Sequence, residues 1–75
     1  MKHTQICLSL VAGANLKRLI KESVYRTQEG FAAAYNTDAR NVRRWISGGI
    51  TKTDQLREIA DWFGISVFDL LTIHD

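Results

Sequence analysis

Residues 27 to 49 decide the fold, and they read TQEGFAAAYNTDARNVRRWISGG. Thr27 precedes a short apolar pattern, and its hydroxyl can accept a hydrogen bond from a free amide in the first turn of a helix. Phe31 and Tyr35 then lie one turn apart, on one helical face. Asn36 tolerates the left-handed backbone conformation that commonly ends a helix. The pattern predicts a helix that begins after Thr27 and ends at Asn36.

A second helix is predicted after a short polar turn. Asp38 is a strong N-cap residue, and the glycines Gly48 and Gly49 end the pattern. Val42 and Trp45 lie about one turn apart, so we expect both to be buried against the first helix. Residues about 3.6 apart share a face. The opposite surface is therefore predicted to hold Ala39, Arg40, Asn41, Arg43 and Arg44.

The three arginines of this second helix make its outward side basic. A guanidinium group is planar, so it can bond a guanine edge with two hydrogen bonds and can also hold a phosphate. Helix-turn-helix proteins place the second helix of such a pair in the major groove of DNA. The stretch therefore favours a role in DNA recognition.

From Gly13 to Leu71 the chain resembles a Cro/repressor-type helix-turn-helix domain of the Xre-like family. The resemblance rests on the stretch quoted above and on LREIADWFGISVFDLL further along the chain. The positions that match the family pattern are Thr27, Gln28, Ala32, Gly48, Ile59, Ala60, Phe63 and Gly64. Asn36 and Ile46 depart from it, since the family usually has a glycine and a polar residue there. The resemblance implies an all-α, five-helix, lambda-repressor-like bundle that contains a helix-turn-helix.

The resemblance also implies a DNA-contacting role for particular residues. The base-reading set is Ala39, Arg40, Asn41, Arg43 and Arg44. The phosphate-contacting set is Thr27, Gln28, Gly49 and Lys52. In the family pattern Gln28 also buttresses Ala39, and amides near Gly49 act together with Lys52.

The other helices are predicted from apolar stripes at helical spacing. Helix 1 is expected from about Ala14 to Ser23, and helix 4 after a cap at Thr53 or Asp54. Ser66 is expected to cap helix 5. The predicted core positions are Leu16, Leu19, Ile20, Leu56, Ile59, Ala60 and Phe63. The helix 1 residues expected to stay outside the core are Asn15, Lys17, Arg18 and Lys21, some of which could touch phosphate.

Residues 1–12 are predicted to form an N-terminal arm or a helical extension, and residues 13–75 to form the DNA-binding domain. The alternation of Ile6, Leu8 and Leu10 would also suit a short strand that pairs with a second chain. Cys7 and His3 lack a matching cluster, so we expect a buried thiol and a solvated imidazole rather than a metal site.

Composition and charge narrow the class of protein. The 75 residues are enough for one domain, and the single cysteine gives no sign of an oxidising compartment. The N-terminal apolar run is too brief for a signal peptide, and no apolar run is long enough to cross a bilayer. We therefore expect a cytoplasmic protein. Residues 13–52 carry a net charge of +5, whereas residues 53–75 carry −4. Such a division would orient a small domain in the field of DNA.

The expected function is that of a sequence-specific, double-stranded DNA-binding transcriptional regulator, such as a Cro or repressor of a phage, prophage or bacterium. Partners are an operator and a second copy of the chain, at least on DNA, with no membrane, small-molecule ligand, cofactor or metal. No arrangement of catalytic residues is recognisable, so an enzyme is not expected. The alternative is a protein-interaction module or antitoxin with the same helical fold.

Overall fold

The computed structural model describes residues 7–73, and every regular element in this range is helical. The elements are α1 (Leu8–Glu22), α2 (Gln28–Tyr35), α3 (Ala39–Gly48), α4 (Thr53–Phe63) and α5 (Val67–Leu70). α3 packs on α1 and α2, while α5 packs on α4 and α1. The predicted all-α class is confirmed. None of these five helices is long and apolar enough to cross a membrane.

Helix α1 begins at Leu8, six residues earlier than the expected start at Ala14. Residues 8–12 are therefore helical and continuous with the rest of α1, although their alternating pattern would also suit a strand. The early turn is fixed by tertiary contact, because the Ser9 carbonyl accepts a hydrogen bond of 3.0 Å from the Ile50 amide. The suggested strand contribution of Ile6 and the imidazole of His3 lie outside the described residues.

The core contains the apolar residues that the helical periodicity predicts. Its buried members are Ala12, Leu16, Ile20, Phe31, Ala32, Val42, Ile50, Ile59, Ala60 and Leu70. Leu19, Trp45, Leu56 and Phe63 pack against this cluster but are only partly buried. Because Val42 is fully buried, the residues on the other side of α3 are turned away from the core.

Four of the predicted helix ends are confirmed in detail. The Thr27 hydroxyl accepts a hydrogen bond of 3.0 Å from the Gly30 amide, and Ser66 accepts one of 3.0 Å from the Asp69 amide. Asn36 ends α2 in the left-handed conformation, at φ 66° and ψ 48°. Gly64 ends α4 at φ 70°.

Two of the predicted N-caps are wrong in detail. Asp38 precedes α3 as expected, but its side chain makes no capping hydrogen bond. The main-chain amide of Asn41, which such a cap could engage, donates instead to the main-chain carbonyl of Asp38 at 3.0 Å. Helix α4 starts at Thr53 itself, so Lys52 holds the cap position that was expected for Thr53 or Asp54, again without a side-chain bond.

Asn15 is buried, which contradicts its predicted place on the outer face of helix 1. Only 5% of its surface is exposed, and its side-chain amide donates to the carbonyls of Leu70 and Thr72 at 2.6 and 2.8 Å. A buried amide without partners would be costly, whereas here it satisfies two main-chain acceptors at the end of α5. Asn15 therefore anchors the C-terminal segment to α1.

Aromatic rings join α2 to α4. The Phe31 ring lies 5.5 Å from that of Phe63 and 6.2 Å from that of Trp62. The Trp62 indole also donates a hydrogen bond of 3.1 Å to the Tyr25 hydroxyl. Trp62 therefore covers the edge of the core, and its ring contacts are with α2 and the preceding loop.

Gly13 permits the close approach of α1 to α3. A Cβ atom at this position would lie 2.8 Å from the Ile46 carbonyl oxygen and would also clash with the Trp45 carbonyl oxygen. Both obstacles are main-chain atoms, so neither can move aside as the end of a side chain could.

We expect Gly13→Ala to lower the free energy of unfolding by about 1 to 3 kcal/mol, because overpacking outweighs the gain in helix propensity. The matched control is Gly48→Ala, since a Cβ atom there meets nothing within 4 Å. This control should be neutral or stabilising by up to about 1 kcal/mol. Urea unfolding of both variants measures the difference. Equal stabilities would contradict the close contact.

Asn15→Ala should lower the free energy of unfolding by about 1 to 3 kcal/mol, because the carbonyls of Leu70 and Thr72 lose their donor. The measurement is the urea midpoint at an unchanged m-value. Lys17→Ala, an exposed substitution on the same helix, serves as the control and should change stability by less than about 0.5 kcal/mol. An effect of Asn15→Ala as small as that of the control would argue against the anchor.

Candidate nucleic-acid interface

The outward side of α3 carries the three predicted arginines. Arg40, Arg43 and Arg44 are all exposed, and the buried Val42 lies on the opposite side of the helix. Arg40 makes no hydrogen bond or ion pair with any residue in the range 7–73. The guanidinium groups are therefore presented to solvent along one ridge.

The other two residues of the predicted base-reading set are placed differently. Ala39 is half-buried and packs against the core. Asn41 is also half-buried, and its amide nitrogen donates to the Thr37 hydroxyl at 3.0 Å. Its amide oxygen accepts a hydrogen bond of 2.8 Å from Arg44. Both ends of the Asn41 amide are thus engaged within the chain.

A cationic groove of about 470 Å³ lies on one side of α3, where the C-terminal half of α1 meets the start of α2. We call it the α1–α2 groove. Its lining residues are Lys17, Ile20, Lys21, Arg26, Thr27, Gln28, Glu29 and Arg43. Four of these side chains are basic and one is acidic, so the groove favours an anion.

Two predicted phosphate contacts, Thr27 and Gln28, line this groove. The Gln28 side-chain oxygen is buried and has no hydrogen-bond partner among residues 7–73. A phosphate contact by Gln28 would have to use the side-chain nitrogen, because the oxygen accepts hydrogen bonds as a phosphate does. Arg43 lies 3.9 Å from the Glu29 carboxylate, but both side chains are more than half exposed. Such a pair contributes little, so Arg43 stays available to a ligand.

A second groove, of about 570 Å³, lies on the other side of α3, and we call it the α3–α4 groove. Its lining residues are Asn41, Arg44, Trp45, Gly48, Gly49, Ile50, Thr51, Lys52 and Gln55. Arg44 and Lys52 are its charged residues, and no carboxylate lines it. This groove also favours an anion.

Gly49 lines this groove, but its main-chain amide is bonded within the fold. Its amide donates to the Trp45 carbonyl at 3.0 Å, and the Ile50 amide donates to Ser9. Its φ of 93° and the approach of Ser9 both require glycine at this position. The phosphate contact that the resemblance implies for amides near Gly49 is therefore not available from these two amides, which leaves Lys52 as the cation of this loop.

Tyr35 borders the α3–α4 groove through Gln55, whose amide donates to the Tyr35 hydroxyl at 2.9 Å. Burial raises the pKa of the Tyr35 phenol well above its usual value, and the Glu58 carboxylate that accepts its hydrogen bond raises it further. The phenol therefore stays neutral beside the groove. It also holds Glu58 on the α2 side of α4.

Sequence reasoning missed Arg26 as a candidate site residue. Arg26 lies in the loop before α2, where its φ of 61° is unusual for a residue other than glycine. A basic residue directly before the N-cap Thr27 was the available signal. Lys17 and Lys21 were considered as phosphate contacts and do line the same groove, whereas Arg18 forms an ion pair of 3.1 Å with Glu22.

Cys7 is exposed, so its predicted burial is wrong. The hydrogen bond with the Ser9 hydroxyl lowers the pKa of this thiol the most, and the hydrogen bond with the Leu10 main-chain amide lowers it further. No group of three His, Cys, Asp or Glu residues that could hold a metal ion occurs within residues 7–73.

Comparison with known proteins adds no relative to this geometry. The chain matches no protein-family model, and it matches neither a curated protein nor a solved structure.

Proposed function

We propose that the protein is a sequence-specific, double-stranded DNA-binding transcriptional regulator that inserts α3 into the major groove. The observation that carries this proposal is the position of α3, an exposed arginine ridge between two cationic grooves. A major groove about 12 Å wide admits one helix, and the two phosphate backbones then run on either side of it. The α1–α2 and α3–α4 grooves are where those backbones would lie.

The arrangement of α2 and α3 supports a finer proposal. Two helices joined by the short turn at Asn36 to Asp38, with the second exposed, match the helix-turn-helix arrangement. We assign the chain to the lambda-repressor-like bundles and to the Cro/repressor type of regulator on this basis. Arg40 and Arg43 would read base edges, while Thr27, Gln28 and Lys52 would contact phosphates.

The protein would bind a near-palindromic operator as a homodimer. Selection of bound sites from a random duplex pool tests both parts of this proposal. We expect an enriched motif with two-fold symmetry and half-sites about one helical turn apart. A pool without enrichment would overturn the proposed function.

A second candidate function is that of a module that binds another protein. Phe68 favours it, because 84% of this large apolar side chain is exposed although it lies in α5. An exposed aromatic residue can anchor an interface, including that of a dimer. The random-pool selection separates the two functions, since a purely protein-binding module would enrich no site.

We expect Arg40→Ala to weaken binding to the selected operator by about 1 to 3 kcal/mol and to relax the preference at one base pair. Arg57→Ala, an exposed substitution on α4 outside both grooves, is the matched control and should leave binding unchanged. The measurement is fluorescence anisotropy on operator and random duplexes at one salt concentration. Equal losses on both duplexes would refute base reading by Arg40.

Lys21→Ala and Lys52→Ala should each weaken operator and random duplexes to a similar extent, because each lysine would neutralise a phosphate from one groove. Each should also lower the slope of log K against log salt concentration by about one. Titrations at four salt concentrations measure the slopes. An unchanged slope for one variant would remove the corresponding groove from the proposed interface.

A further inference from the structure

A chain of hydrogen bonds runs from the turn between α2 and α3 to the α3–α4 groove. The Asn41 amide nitrogen donates to the Thr37 hydroxyl at 3.0 Å, and Arg44 donates to the Asn41 amide oxygen at 2.8 Å. The main-chain amide of Thr37 in turn donates to the Ala32 carbonyl at 2.9 Å, which ties the start of this series of hydrogen bonds to α2. Thr37 and Asn41 are half-buried, whereas Arg44 is exposed.

This series of hydrogen bonds distinguishes Arg44 from the other two arginines of α3. Arg40 has no partner among residues 7–73, and Arg43 has only an exposed carboxylate at 3.9 Å. Arg44 is held by a half-buried amide that is itself held by a hydroxyl. A long side chain that is already ordered loses less freedom when it binds, so its contact contributes more to affinity.

The direction in which Arg44 is held also indicates its ligand. Arg44 and Lys52 are the two charged residues that line the α3–α4 groove. A pair of cations in a groove beside α3 fits a backbone phosphate better than a base edge, because the phosphate backbone would run beside the helix. Such phosphate contacts set the register of the protein on the duplex.

We infer that Asn41 is a positioning residue, which Thr37 anchors and which holds Arg44 toward a backbone phosphate in the α3–α4 groove. This inference rests on the proposed function. It reassigns two residues, since Asn41 and Arg44 are then not base readers. An asparagine that read adenine would need both ends of its amide for the base, and in this structure both ends are used within the chain.

A double-mutant cycle on the full chain tests the inference. Asn41→Ala should weaken operator binding by about three- to tenfold, the factor that accompanies the ordering of one long side chain. In the Arg44→Ala background the same substitution should have no further effect, because Asn41 acts through Arg44. Thr37→Val should weaken binding in the same direction and should not add to Asn41→Ala.

Base preference distinguishes a positioning role of Asn41 from base reading. The motif selected by Asn41→Ala should keep the same bases as that of the wild type. Ser47→Ala is the matched control, since it removes another side-chain hydrogen bond of α3, from the Ser47 hydroxyl to the Arg43 carbonyl. It should leave binding unchanged. A loss that persists in the Arg44→Ala background, with one relaxed base pair, would overturn the inference.

A measurement without DNA keeps the inference separate from the proposed function. In the free protein, the ¹⁵N relaxation of the Arg44 side chain should indicate less motion than that of Arg40, and Asn41→Ala should remove the difference. Equal mobility of the two side chains in a wild type that selects an operator would overturn this inference alone. A wild type that binds no duplex would overturn the proposed function and the inference with it.

Discussion

The close approach of α1 to the C-terminal end of α3 is the contact on which the rest of the structure depends. Gly13 brings α1 against the carbonyls of Trp45 and Ile46, and Ile50 bonds the Ser9 carbonyl one turn earlier. These contacts are made by main-chain atoms, so they leave little freedom for α3 to rotate or slide. With Val42 buried on the inner side, the arginines have only the outer side to occupy. The orientation of the basic ridge therefore follows from a backbone contact on the opposite face.

Charge is divided between the two grooves beside α3 and the C-terminal part of the chain. The two grooves beside α3 hold six basic side chains and one carboxylate, Glu29. From Thr53 to residue 73 the described chain carries Asp54, Glu58, Asp61 and Asp69 against Arg57. A domain with this polarity turns its basic side toward a polyanion before contact and keeps its acidic side away from it. On the proposed operator, base contacts would then only refine an orientation that the field has already selected.

The three arginines of α3 show how one helical spacing yields three environments. Arg40 has no partner in the described part of the chain, Arg43 lies beside an exposed carboxylate of α2, and Arg44 is bonded to Asn41. A sequence pattern treats them as equivalent, because each is a basic residue on the outer face. The neighbours that distinguish them come from α2, from the turn and from α3 itself. Preorganisation of one side chain among the three is therefore a property of the folded molecule.

Local patterns determined the helices of this protein and most of their ends. The hydroxyls of Thr27 and Ser66, the left-handed Asn36 and Gly64, and the apolar stripe that includes Leu16 act within one or two turns, so neighbouring residues suffice to predict them. The resemblance added candidate contacts that composition could not name, and their roles on DNA stay predictions. The errors on Asn15 and on the start of α1 have a different cause, because each depends on groups that are distant in sequence. Asn15 is buried only because the carbonyls of Leu70 and Thr72 reach it from more than 50 residues away. Likewise, Lys17, Arg26 and Arg43 share a groove only after three segments have packed, so the grooves were decided by the tertiary structure alone.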